Sequence, residues 1–256
     1  MLKLKEQVFG DKGYSVDCQL SIEELSTFRQ IITQQWLSTF RKHHPHLFDE
    51  AQSLGIENYH LIANKIDHQA LWPKRNRVLP QDWVHQIKQM SFLSLLREEF
   101  GDFAISDIYD TKQHYGEEEI YWRLVRPGIP SDVGSLHKDG WFHGSFNGGY
   151  GMFPDGTTTV KIWIPIYCEP GKNGLRVAQG SHLKEFKYRV DITSDGTPRP
   201  QLEEDLTIND APLISVEPGN MIIFNENVLH GGSINLGNQT RVSAEITMVL
   251  PKTTMM

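Results

Sequence analysis

The chain is poor in cysteine: Cys18 and Cys168 are its only two. Two thiols cannot build a disulfide framework, and their spacing is not that of a metal site, so both are expected as reduced, packed thiols. Long apolar runs are missing as well. No segment reaches the length needed to span a bilayer, and the opening MLKLKEQVFGDKGYS lacks the apolar centre of a secretory signal, which together predict a cytoplasmic protein without a membrane partner. Excess positive charge is absent, since the net charge is −7, and this argues against a general nucleic-acid binder. Linkers, internal repeats and low-complexity tracts are absent too. The 256 residues, 39% hydrophobic and 22% charged, therefore read as one globular domain over residues 1–256.

What is present changes character along the chain. The part up to about residue 115 reads as helical. Ser21 and Glu24 have the capping-box spacing, and Leu20, Leu25, Phe28, Ile31, Ile32 and Trp36 recur at helical intervals until His44-Pro45. Pro80 opens a second predicted helix, with Trp83, Ile87, Met90, Leu93 and Leu96 on one side and Gly101 at its end. From Glu119 the period becomes that of strands. EIYWRLVRP, TTTVKIWIPIY, PLISVEP, NMIIFN and TRVSAEITMVL are β-branched and aromatic runs divided by Pro-Gly turns, which predicts an antiparallel sandwich or barrel over about 116–250, braced by the helices. Two segments, 140–155 (GWFHGSFNGGYGMFPD) and 183–212, look irregular and are expected to cover the mouth of the barrel.

The chemistry concentrates in two places. In His137-Lys138-Asp139 an extended backbone would turn His137 and Asp139 to the same face, where both can hold one metal ion. His230 is the candidate for a third ligand. Two imidazoles and a carboxylate with open positions form the ligand set of non-heme Fe(II) oxygenases. Arg241 and Ser243 share one face of the predicted last strand, and a guanidinium fork beside a hydroxyl suits a dicarboxylate. A lone His-x-Asp triplet arises readily by chance; its combination with His230 and Arg241 carries the signal. Lys161 and Trp163 share a face of an earlier strand and reach either this pocket or, respectively, solvent and core. Tyr121 and Arg123 alternate in the same way on a strand before it and are candidates to touch co-substrate or substrate.

Residues from about 120 to 250 resemble the phytanoyl-CoA dioxygenase family of Fe(II)/2-oxoglutarate-dependent oxygenases. The resemblance rests on LHKDGW (136–141), on VKIWIPIYCEPGKNGLRVAQGSH (160–182) and on EPGNMIIFNENVLHGGS (217–233). It implies a double-stranded β-helix, the jelly roll of the cupins. It also implies iron held by His137, Asp139 and His230, and 2-oxoglutarate bound by Arg241 with Ser243 or Ser233, near Trp163 and Lys161. The implied reaction is hydroxylation of a small molecule by dioxygen, with decarboxylation of 2-oxoglutarate to succinate and CO2. Related halogenases have a small residue at the place of Asp139, so the carboxylate implies no halogenation. The aromatic, Gly-rich stretch with His143 and Asn147 suits a polar metabolite or a sugar. His182 is expected to shape a turn, and the basic run Arg41 to His46 to form a solvated helix end. A cupin-like binding protein without turnover and a divalent-metal hydrolase stand as alternatives.

Overall fold

The computed structural model describes residues 3–105, 118–144, 156–192, 198–206 and 210–255. Helix α1 (Leu4–Phe9) leads into strand β1 (Tyr14–Gln19), and the helices α2 (Ile22–His43), α3 (Phe48–Leu54), α4 (His68–Leu71), α5 (Gln81–Lys88) and α6 (Ser91–Phe100) follow. Strands β2 (Ala104–Ile105) and β3 (Ile120–Val125), the short helix α7 (Gly140–Gly144) and β4 (Thr157–Tyr167) come next. The chain then forms β5 (Leu175–Val177), β6 (Tyr188–Ile192), β7 (Pro198–Leu202), β8 (Asn220–Asn225), β9 (His230–Gly232) and β10 (Arg241–Pro251).

Six strands make one antiparallel sheet in the order β1-β8-β4-β10-β2, with β3 also paired to β10, and β5 pairs with β9 in a small second sheet. Strand alternation divides the large sheet into two faces. Trp122 and Leu124 of β3, Val160, Ile162, Ile164 and Ile166 of β4, and Val242, Ala244, Ile246, Met248 and Leu250 of β10 pack against Phe28, Ile32, Trp36 and Phe40 of α2 in the main core. The odd-numbered residues of the same strands face the small sheet. There Trp163, Ile222 and Phe224 meet Leu175, Val177, Val216 and Val228 in a second, smaller cluster. The protein is thus mainly β with bracing helices, in antiparallel sheets that among the described residues do not close into a barrel.

The expected helix from Pro80 to Gly101 is two helices, because Met90 adopts an extended backbone (φ −72°, ψ 147°). The break admits the buried Glu24 carboxylate to the start of α6, where Oε1 accepts from the Ser91 hydroxyl (2.9 Å) and the Phe92 N–H (3.1 Å). Its Oε2 accepts from the Ser21 N–H (2.8 Å) in the capping box of α2, so one carboxylate caps two helices. PLISVEP is not a strand. Only Leu213 bridges to Arg176, since Pro212 and Pro218 offer no N–H to a ladder. The N-terminal part is not wholly helical, because β1 pairs with β8 and β2 with β10. The stretch 183–212 also contains more order than expected: β6 and β7 form a hairpin, joined to α7 by the stacked rings of Tyr188 and Trp141 (centroids 4.5 Å, 9° between planes).

Candidate active site

His137 and His230 face each other as an antiparallel bridge, each N–H donating to the other's carbonyl at 2.9 Å. This backbone pairing brings their rings to 4.5 Å between centroids. Asp139 is not on an extended strand as the i, i+2 spacing suggested. It lies in the turn that opens α7, fixed by the Gly140 N–H donating to the Glu226 carbonyl (3.0 Å) and the Phe142 N–H to its own carbonyl (3.0 Å). The turn still delivers its carboxylate to the same place, with Oδ1 3.5 Å from His137 Nε2 and 3.6 Å from His230 Nε2. Gly231 eases the close approach of the chain leading to His137: a Cβ there would stand 3.0 Å from the Ser135 carbonyl oxygen.

The donor set fits a divalent metal. All three ligand atoms lie within 4.8 Å of one another. Each imidazole points Nδ1 at a backbone carbonyl, that of Ser135 for His137 (2.8 Å) and that of Val228 for His230 (3.0 Å). A proton on Nδ1 satisfies that carbonyl and leaves the Nε2 lone pair for a metal. Asp139 Oδ2 is buried without a hydrogen-bond partner. Burial opposes the Asp139 charge, but Lys161, His230 and His137 outweigh it and hold the carboxyl well below its usual range. Burial, helped by His137 and opposed by Asp139, pulls His230 down to about 4, so it is neutral and able to ligate at physiological pH.

A second set of buried polar atoms lies on the inward face of β10. Arg241 is 3% exposed; it donates from Nη1 to the Gly174 carbonyl (2.6 Å), and its guanidinium carbon lies 5.7 Å from the centre of the Trp163 ring. Burial and the nearby Arg123 lower it to about 10, which leaves it charged near neutrality. Its Nε has no partner, and neither has the fully buried Ser243 Oγ. Ser233, the alternative hydroxyl, is engaged with the Gly174 N–H (3.0 Å) and carbonyl (3.2 Å). An unpaired buried cation beside an unsatisfied hydroxyl is costly unless an anion joins them.

Lys161, across from Thr247, donates to its hydroxyl (2.9 Å), and Trp163 stands across from Glu245. Sequence reading gave Glu245 no role. It receives the Tyr121 hydroxyl and Arg123 Nε (2.6 Å), which makes it the hub of the inward face of β3, and its odd position in TRVSAEI was the available signal. Phe224, also overlooked, packs on the His230 ring at 4.4 Å between centroids. His182 binds the Gly10 carbonyl (2.8 Å) away from the triad, in keeping with a turn role. The basic run ends α2 as Arg41, Lys42 and His43 in its last turn. Asn147 lies outside the described residues, as does the side chain of His143.

Buried and half-buried polar groups gather beside the start of β10. Thr240 Oγ1 meets the His60 N–H and ring (3.1 Å each), the Tyr59 hydroxyl meets His68 Nδ1 (2.8 Å), and Arg126 pairs with the buried Asp132. Burial and Arg126 lower His68 from 6.5 to about 4, against the opposite pull of Asp132. Between these values the unfolded chain binds a proton that the folded chain refuses. This stability is complete above pH 6.5 and is lost as pH falls toward 4, at up to about 1.4 kcal/mol per pH unit. Urea unfolding at pH 7, 5.5 and 4.5 should show that loss, and His68→Gln should reduce its slope; an unchanged slope would remove His68 as its source.

A family model described as phytanoyl-CoA dioxygenase (PhyH) matches residues 20–243. No curated protein matches the sequence. Among solved structures, EvdO2 from Micromonospora carbonacea var. aurantiaca is similar at a TM-score of 0.60 and 13% identity, over 97% of this chain and 90% of that one. EvdO2 complexed with 2-oxoglutarate gives 0.59 and 12%, over 96% and 89%. EctD from S. alaskensis with 2-oxoglutarate and 5-hydroxyectoine gives 0.53 and 14%, over 98% and 76%. At these identities the likeness is one of fold.

Proposed function

We propose a function from one premise: the chain belongs to the phytanoyl-CoA dioxygenase family. As a member it is a 2-oxoglutarate-dependent oxygenase acting on a small molecule with dioxygen, and we assign the finer steps as follows. His137, Asp139 and His230 hold Fe(II), the ion suited to two imidazoles and one carboxylate with positions left open. Arg241 and Ser243 bind the distal carboxylate of 2-oxoglutarate, with Trp163 and Lys161 lining its pocket. Bound Fe(II), with the keto acid and dioxygen, supplies oxidative decarboxylation to succinate and CO2, coupled to hydroxylation of a substrate C–H bond. The chain's own part is orientation and protection. The two carbonyls at Nδ1 fix both imidazoles, the α7 turn aims Asp139, and the apolar walls around Phe224 and Trp163 keep water out.

One observation carries this reading: Asp139 Oδ2, Arg241 Nε and Ser243 Oγ are three buried polar atoms without partners, set for a metal and an anion. A divalent-metal hydrolase would use the triad and leave Arg241 and Ser243 unexplained. A binding protein without turnover would use both sets but release no succinate. We take residues 1–256 as one domain. No helix among the described residues is long and apolar enough to cross a membrane, and we place the reaction in the cytoplasm. The preference for a polar metabolite or sugar came from a stretch of which 145–155 lies outside the described residues.

Anaerobic addition of Fe(II) and 2-oxoglutarate should produce the weak visible charge-transfer band of a keto acid chelated to iron. A folded, iron-loaded protein without that band would contradict the oxygenase assignment.

A further inference from the structure

Three cations converge on one ring. Tyr121 stands on the inward-facing side of β3, and Lys74 Nζ, the Arg123 guanidinium carbon and Lys161 Nζ lie 4.8, 5.3 and 5.8 Å from its ring centre. They run from surface to interior. Lys74, its side chain 36% exposed, begins the basic stretch Lys74-Arg75-Asn76-Arg77, whereas Lys161 is buried and its charge acts on Asp139. The basic stretch is tied beside β3: the Trp122 N–H donates to the Arg77 carbonyl (3.1 Å), Arg77 Nη1 donates to the Trp122 carbonyl (2.6 Å), and the Leu79 N–H donates to the Ile120 carbonyl (2.8 Å). Two carboxylates sit among these cations. Glu119 Oε2 is 3.5 Å from Lys74 Nζ, and Glu245 takes Arg123 Nε and the Tyr121 hydroxyl.

Arg123 shows what the arrangement is for. Its Nε and Nη2 are fixed by Glu245 and by the Tyr121 hydroxyl (3.0 Å), yet 43% of its side chain remains accessible although its place on β3 faces inward. It therefore lines open space with its orientation already set. A guanidinium held in this way is prepared for a forked anion and loses little freedom on binding one.

We propose that this cationic track around Tyr121 recognises the substrate, which is a small molecule carrying a carboxylate or phosphate group. The proposal rests on the oxygenase reading above, because the track ends beside the triad. Glu119 and Glu245 offset much of this charge, so the track selects an anion through the oriented, accessible guanidinium of Arg123 rather than through net charge. Arg123 and Lys74 would hold the anionic group and leave the rest of the molecule toward the metal.

The test uses Ni(II)-loaded protein, with and without 2-oxoglutarate, and calorimetry against matched probes: carboxylic acids with their amides, and phosphate monoesters with their parent alcohols. Binders should come from the anionic members, at least about tenfold tighter than their neutral twins, and which of the two sets binds identifies the group. Lys74→Ala and Arg123→Lys should each weaken those binders about tenfold, with little change in affinity for 2-oxoglutarate. Neutral twins binding equally, no anionic binder, or Arg123→Lys weakening 2-oxoglutarate instead of the probes would overturn the proposal. Failure of 2-oxoglutarate itself to bind would count against the oxygenase reading, while the anion preference is still read on the Ni(II) protein alone.

Discussion

Asp139→Asn should abolish Fe(II)-dependent succinate release and weaken divalent-metal binding by more than a hundredfold. Removal of groups that merely orient a ligand typically loses ten- to a hundredfold in affinity or activity, so loss of the anionic ligand itself should exceed that range. Asn preserves shape, and the protein should remain folded. The metal-free variant should melt somewhat lower than the parent, because His137, His230 and Lys161 favour the Asp139 charge by more than its burial costs, and Asn removes that attraction. Metal titration followed by a succinate assay checks this. Retained metal-dependent turnover would show that another carboxylate completes the site, with the buried Glu226 beside the α7 turn as the next to replace.

The second large effect concerns Arg241. Arg241→Ala should raise the dissociation constant for 2-oxoglutarate about ten- to a hundredfold, since a charge-assisted hydrogen bond contributes on the order of 1.5–3 kcal/mol and about 1.4 kcal/mol is one decade. Metal affinity should barely change. Arg241→Lys keeps the charge and loses the fork, so it should fall between the two. Ser243→Ala should have a smaller effect in the same direction. If Arg241→Ala binds 2-oxoglutarate like the parent, the anchor lies elsewhere, and Arg123, across from Ser243, or Lys161, across from Thr247, is the next to replace.

Much of this was legible because strand alternation is a local rule. TRVSAEITMVL and TTTVKIWIPIY assign odd and even residues to opposite faces without knowledge of any partner strand, and the cross-strand register then aligns Glu245 with Trp163 and Thr247 with Lys161. The capping box at Ser21 was legible for the same reason. What escaped depends on distant groups. Nothing near Met90 announces that Glu24, 67 residues before Ser91, will cap α6 and so divide the expected helix. Strand β1 exists because β8 is there to pair with it. Asp139 reaches its place by a turn held from Glu226, although its spacing from His137 suggested a strand. Alternation puts Glu245 on the face of Arg241 and Ser243, but its link to Arg123 spans 122 positions and leaves no sequence pattern.

The two halves of the site are mounted on different bodies. His230 and its bridge partner His137 belong to the small-sheet side, whereas Arg241 and Ser243 are built into the large sheet, and between the two lies an apolar seam of a few side chains around Trp163 and Phe224. A molecule that grips the metal at one end and the guanidinium at the other would act as a rivet through that seam. Occupied, the layers would share load and come apart together; empty, the small layer could peel first, so hydrogen exchange at β5 and β9 would report how firmly the rivet is set long before the large sheet yields.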